Sequence, residues 1–231
     1  MTWALFDLDD TVLDHDSFER FTIHLLRRNP VRMAGAVVLL PVIGVLLVRR
    51  TWRIHAGSLL LWLGTVGIGD VALAEFVQRY LDGLGIAGRI RPGGADALEK
   101  HFLAGDHVAV VTACAEHLAV PLCHAIDPRI HVVGSTLRRR AGGLVADRHC
   151  HGARKVDMLV ESGVDGEIVA CYGDSASDAP MLDLAQTAVL VNLSEKDARQ
   201  IREHLTRPDR VMLVDWPPPR ESVPAKSRGK D

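Results

Sequence analysis

An apolar run, Trp3-Ala4-Leu5-Phe6, opens the chain and gives way at once to carboxylates, the pattern of a short buried strand that ends at a polar crevice. The spacing then predicts a helix over 17–28, a long apolar region reaching about Gly69, and an amphipathic helix over 72–84. From about Gly93 onward, helical and strand-like segments alternate. Helices are predicted over 95–103, 116–125, 154–161 and 178–185, and strands over 107–112, 130–135, 167–172 and 187–191. That rhythm implies an α/β fold, a Rossmann-like and mostly parallel sheet joined by right-handed crossovers. Ligands of such sheets bind beyond the carboxyl ends of the strands, and Asp7, Thr112 and Asp174 each stand at such an end.

Because side chains alternate across a strand, Asp7 and Asp9 face one side while Leu8 returns to the core. Two carboxylates in one crevice repel unless a cation or a shared proton intervenes. Mg²⁺ is the expected cation, since it combines a few carboxylates with water and phosphate oxygens. A calcium loop starting at Asp7 is excluded, because Val12 and Phe18 occupy the positions that would require Gly and Glu. The pairing therefore points to phosphoryl transfer.

The 231 residues, 48% of them apolar, suffice for one ordinary domain plus a sizeable insertion. A formal charge of −2 and the absence of aromatic-basic interleaving give no case for a nucleic-acid partner. Four scattered cysteines without a Cys-x-x-Cys pair fit a reducing cytoplasm, and Asp7 comes too early for a secretory signal. The tail 216–231, rich in Pro, Ser, Lys and Arg, is expected to be disordered.

Four pieces occur in order: Asp7-Leu8-Asp9-Asp10-Thr11, Val110-Val111-Thr112, Lys155, and Gly173-Asp174-Ser175-Ala176-Ser177-Asp178. Together they resemble the haloacid dehalogenase-like phosphatase superfamily, in its phosphoserine-phosphatase-like branch. Each piece alone would read as a turn, a strand end or a helix cap; the ordered set is far more specific. The resemblance implies a catalytic core from 1–20 plus 90–215 and a helical cap over 21–89. It implies that Asp7 is the nucleophile forming an aspartyl-phosphate and Asp9 the general acid and base. Thr11, Thr112, Ala113 and Lys155 would hold the phosphoryl oxygens. Asp7, Asp174 and the backbone carbonyl of Asp9 would hold Mg²⁺, with Asp178 an outer or additional ligand. Asp10 departs from the glycine common at its position. His149-Cys150-His151 offers zinc-ligand types, but three adjacent residues cannot all point inward, so it reads as the loop leading to Lys155.

From Arg20 to Gly69 there is no Asp or Glu, while seven arginines occur. Uncharged runs over 33–48 and 58–69 lie between them, the first a little short of the ~20 residues that span a bilayer. A single crossing would separate Asp7 from the rest of the site. The pattern therefore predicts a monotopic hairpin bent at Pro41 and Gly44, with Arg27, Arg28, Arg32, Arg49, Arg50, Trp52 and Arg53 at the headgroups of an anionic membrane. A buried lid core is the alternative. Leu25-Leu26-Arg27-Arg28 with the following apolar stretch and Leu59-Leu60-Leu61-Trp62 resembles the cap of bacterial phosphatidylglycerophosphatase C. On that resemblance the substrate is phosphatidylglycerophosphate, dephosphorylated on the cytoplasmic face of the inner membrane. The alternatives are a soluble phosphatase of a small phosphomonoester such as phosphoserine, and a phosphorylation-receiving switch, against which Asp9 argues.

Overall fold

The computed structural model describes residues 1–49 and 52–219, apart from the Arg53 side chain. Arg50, Arg53 as a headgroup contact and the tail beyond 219 thus lie outside the described residues. Strand β1 (Thr2–Phe6) is the middle of a seven-stranded sheet, with β2 (His107–Ala115), β3 (His131–Arg140) and β4 (Gly143–Arg148) on one side. On the other stand β5 (Glu167–Gly173), β6 (Thr187–Val191) and β7 (Val211–Val214), giving the order β4-β3-β2-β1-β5-β6-β7. Every pairing is parallel except the β3–β4 hairpin at one edge. The fold is α/β, as the alternation implies.

Strand β1 is apolar on both faces because both are covered. Ala4 and Phe6 enter one core, with Tyr172 stacked 4.3 Å from the Phe6 ring, while Trp3 and Leu5 enter the other. Helices α5 (Pro92–Ala104), α6 (Glu116–Ile126), α7 (Ala153–Glu161), α8 (Ala179–Leu182) and α9 (Glu195–Arg202) make the crossovers and flanks. Between β1 and β2 the chain inserts α1 (Ser17–Arg27), α2 (Pro30–Val48), α3 (Arg53–Thr65) and α4 (Asp70–Leu84).

Helix α3 covers the exposed edge of β4. Its Ser58 Oγ accepts from Ala146 N (2.7 Å) and its Thr65 Oγ1 from Leu144 N (2.8 Å), so the edge amides find hydroxyls. Trp62 closes the contact, donating Nε1 to Arg140 O (2.9 Å). A Cβ on Gly143 would sit 2.6 Å from the Trp62 ring, so only glycine fits there. The 58–69 run is thus packed against the sheet.

The bend expected at Pro41 and Gly44 is not there. Helix α2 runs unbroken through Pro41, forfeiting one backbone hydrogen bond, because a segment without polar side chains gains nothing by opening its ladder. The reversal falls instead between α2 and α3, where Arg49 takes extended backbone and Trp52 N donates to Arg49 O at 2.8 Å. The α2 and α3 axes then lie side by side, tied by Arg32, whose Nη1 and Nη2 donate to Gly64 O (2.5 Å) and Val66 O (2.8 Å). Those are carbonyls left free at the end of α3, so Arg32 serves as a helix cap.

Strands β4 and β7 and helix α9 lie outside the sequence expectations, and the helix expected over 178–185 is a single short turn with a 3₁₀ lead-in. Trp216, expected to open a disordered tail, is docked: its ring stacks on Tyr172, Arg91 Nη1 donates to its carbonyl (2.8 Å), and its N donates to Asn192 Oδ1 (2.6 Å).

Candidate active site

The carboxyl ends of β1, β2 and β5 and the first turn of α7 converge on one buried cluster. Asp7 follows β1 and donates its N–H to Tyr172 O (2.9 Å), which pins it beside β5. Lys155, only 2% exposed, reaches over from α7 and donates to Asp7 Oδ1 and to Asp178 Oδ1, the latter at 2.6 Å. Asp178 is fixed by a capping box: Ser175 N (3.2 Å) and Ser175 Oγ (2.9 Å) both donate to its Oδ2. A Cβ at Gly173 would stand 2.8 Å from that of Asp178, so glycine there lets the carboxylate in. Thr11 Oγ1 donates to Asp174 Oδ1 (3.3 Å).

Asp9, two residues further on, has different company. Its Oδ1 accepts from Ser17 N (2.8 Å), the first amide of α1, a free donor that a carboxylate satisfies. Burial nonetheless raises its carboxyl to about 7. Asp10 adopts the left-handed region (φ 57°), which explains why glycine suits that position and why aspartate, one of the few tolerant residues, also serves. Thr112 is buried, its Oγ1 accepting from Cys114 N (3.0 Å), at the point where the β2–β3 register shifts. Ala113 lies beside it, its carbonyl held by Ser135 Oγ at 2.7 Å.

Charge decides what the cluster can hold. Oxygens of Asp7, Asp174 and Asp178 lie within 4.8 Å of one another, and the Lys155 ammonium contacts two of the three, Asp7 and Asp178. Burial raises the carboxyl of Asp7, with its fellow carboxylates adding to the effect and Lys155 opposing it; Asp174 is raised to about 6, again chiefly by burial. Burial alone would lower Lys155, but Asp7 and Asp178 outweigh it and keep the ammonium charged. Three carboxylates facing one cation leave an excess of negative charge, and an oxygen-only donor set of this kind suits a hard divalent cation. Ser17, Ser175 and Asp178 as the lysine's partner are what the sequence reading missed or underweighted. The Ser-x-x-Asp spacing of 175–178 was the available signal.

Of the described residues expected at a membrane, Arg27 and Arg28 end α1, Arg32 lies in α2, and Arg49 and Trp52 flank the α2–α3 reversal. Arg27 and Arg28 are exposed, Arg28 over the Phe76 ring at 5.5 Å. Arg49 lies 4.7 Å over the half-exposed ring of Trp52.

With this geometry in place, comparison with known proteins gives the class. Residues 4–183 match the haloacid dehalogenase-like hydrolase model, and the chain belongs to that family. It is an enzyme, a phosphatase. It is 24% identical over 217 residues to a histidinol-phosphatase of Neisseria meningitidis, covering 85% of this chain and 94% of that protein. A phosphoserine phosphatase of Mycobacterium tuberculosis matches at 27% over 53% of this chain and 40% of its own length. Among solved structures, a protein of unknown function from Bordetella pertussis aligns at TM-score 0.69 and 22% identity, over 93% of this chain and 98% of that one. A phosphoserine phosphohydrolase-like protein from Francisella tularensis aligns at TM-score 0.54 and 15% identity, over 92% and 95%. These structures share the fold.

Proposed function

We propose that the chain is a Mg²⁺-dependent hydrolase of small phosphomonoesters that works through an aspartyl-phosphate on Asp7. The observation that carries this reading is the contrast between two carboxylates two residues apart. Asp7 is ion-paired to Lys155, whereas Asp9 is held by a neutral amide and titrates near 7. Burial raises both, but Asp7 alone has an ammonium beside it that favours the charged, nucleophilic form, while Asp9 is left to exchange a proton near neutral pH. Asp7 Oδ attacks phosphorus as the ester P–O bond breaks, and Asp9 gives its proton to the departing alcohol oxygen. Asp9, now a carboxylate, takes a proton from the water that attacks the phosphoaspartate, and phosphate leaves with Asp7 regenerated. Lys155 and Thr112 hold the equatorial oxygens, where the charge resides. Mg²⁺ bound by Asp7, Asp174 and Asp178 would neutralise those oxygens. The relatives named for histidinol phosphate and phosphoserine support a small substrate.

Chelation tests the metal. Dialysis against EDTA is expected to lower phosphate release from acetyl phosphate by about 100-fold or more, with Mg²⁺ restoring it; unchanged rates would refute the role. Stability should follow. In the metal-free protein Asp9 and Asp174 are raised above the ordinary 3.8, so their protonated forms favour the fold below pH 4, and that contribution is lost as pH rises through 6 and 7. Each contributes up to ~1.4 kcal/mol per pH unit in that window. The thermal midpoint should therefore be lower at pH 8 than at pH 5.5, and Mg²⁺ should raise it more at pH 8.

A second reading of the substrate is favoured by α2. It buries only Ala36 and Ile43, while Val31, Val38, Val42 and Val45 form an exposed stripe at seven-, four- and three-residue spacing, Val38 being 76% exposed. Among the described residues this is the one helix long and apolar enough to cross a membrane. At 1.5 Å per residue, 19 residues present about 28 Å of apolar surface, flanked by Arg27, Arg28 and Arg49. In this reading α2 lies in the headgroup region of an anionic cytoplasmic leaflet and the substrate is a phosphorylated lipid such as phosphatidylglycerophosphate. Joint replacement Val38→Asp and Val45→Asp should abolish co-flotation with phosphatidylglycerol vesicles; flotation retained by the variant, or absent from the unaltered protein, would leave the soluble-substrate reading alone.

A further inference from the structure

A cavity of about 240 Å³ separates the inserted helices from the sheet beside the cluster. Phe18 on α1 with Ile54 and Leu61 on α3 form one wall, and Ala113, Ser135 and His149 the other. Two of these tie it to the chemistry: Ala113 follows Thr112, and Phe18 follows Ser17, whose amide holds Asp9. It also lies at the carboxyl end of β2, the side of such a sheet on which ligands bind.

Among the described residues its lining has no carboxylate and no lysine or arginine. His149 does not supply a charge either. Ser135 Oγ spends its proton on Ala113 O (2.7 Å) and accepts from Cys150 N (3.0 Å), so at His149 Nδ1, 3.2 Å away, Ser135 is again the acceptor. That assigns the proton to Nδ1 and leaves Nε2 an acceptor, and burial lowers the imidazole's pKa, which keeps it neutral. An ammonium in this cavity would be desolvated without a counter-charge, whereas carbon surface would be buried at a gain.

Resting on the phosphatase reading above, we propose that this cavity selects phosphomonoesters of uncharged, carbon-rich alcohols and rejects those of amino alcohols. At about 240 Å³ it has room for a group of several non-hydrogen atoms. Benzyl alcohol, with eight non-hydrogen atoms, matches that size. Phosphoserine, ethanolamine phosphate and histidinol phosphate all carry the excluded ammonium.

The test is a substrate panel on the full chain with Mg²⁺, using acetyl phosphate as the donor that leaves the cavity unfilled. Benzyl phosphate is expected to exceed ethanolamine phosphate and histidinol phosphate in kcat/KM by about 100-fold or more. Ser58→Asp, which sets a carboxylate in the lining, should shift the benzyl-to-ethanolamine ratio at least ~10-fold toward ethanolamine phosphate. A Cβ on Gly57 meets nothing within 4 Å, so Gly57→Leu is accommodated by the helix and fills the cavity. It should raise KM for benzyl phosphate ~10-fold more than for acetyl phosphate. Amino-alcohol phosphates turned over as well as benzyl phosphate, or Gly57→Leu affecting both donors alike, would overturn the cavity's role while leaving the phosphatase reading intact. Failure to hydrolyse acetyl phosphate at all would overturn the phosphatase reading and this inference with it.

Discussion

Replacing Asp7 by Asn is expected to reduce phosphate release from acetyl phosphate by ~10⁴-fold or more while leaving the protein folded. The amide keeps the shape of the carboxylate but cannot form the acyl-phosphate bond. Stability should not suffer, because Lys155 keeps its partner in Asp178 at 2.6 Å and one of three crowded carboxylates has lost its charge. A metal-free thermal midpoint equal to or above that of the unaltered protein is therefore expected. Activity within tenfold of the original would remove Asp7 from the nucleophile's role.

The second large effect concerns stability. Lys155→Met removes the cation from a cluster where both Asp7 and Asp178 are almost wholly buried. Stripping one partner from a buried ion pair costs about 3–5 kcal/mol, and at about 2–4 °C per kcal/mol the midpoint should fall by roughly 10 °C or more at pH 8. The sign of the pH dependence follows. Burial already raises the Asp7 carboxyl, and the substitution removes the ammonium that opposes this, so its protonated form favours the fold at low pH and the deficit grows as pH rises. Calorimetry at pH 5.5 and 8 checks this, and adding Asp178→Asn should recover part of the loss. A Lys155→Met variant as stable as the original at both values would mean that Lys155 does not balance the carboxylates.

How much of this was legible depended on how each segment earns its place. β1, β2, β5 and β6 were readable because central parallel strands are covered on both faces and so write themselves as apolar runs. β4 was not, since Gly143–Arg148 is a hairpin edge with Ala146 and Leu144 amides bound by hydroxyls far away in sequence. The α2–α3 reversal was misplaced for a related reason. Pro41 and Gly44 are the local breakers, but the helix survives them, and the turn falls where the packing of α3 against β4 returns the chain. Asp7, Asp174, Lys155 and Asp178 were named from motif order. Their partition into a lysine-bridged pair and an oxygen cluster came only with the geometry, because Ser175 and Gly173 determine which way Asp178 points.

The position of β1 also bears on how the chain is made. Of the seven strands of the sheet it is made first, yet its hydrogen-bonding neighbours begin at His107 and Glu167. At about 5–20 residues per second, a hundred residues take roughly 5–20 s. For that interval Trp3, Leu5 and Phe6 have no sheet to join, while α1 to α4 are synthesised between them and their partners. Nascent chains therefore expose an aggregation-prone strand and an apolar helix together, and biosynthetic yield should depend on holdase chaperones more than the finished sheet would suggest.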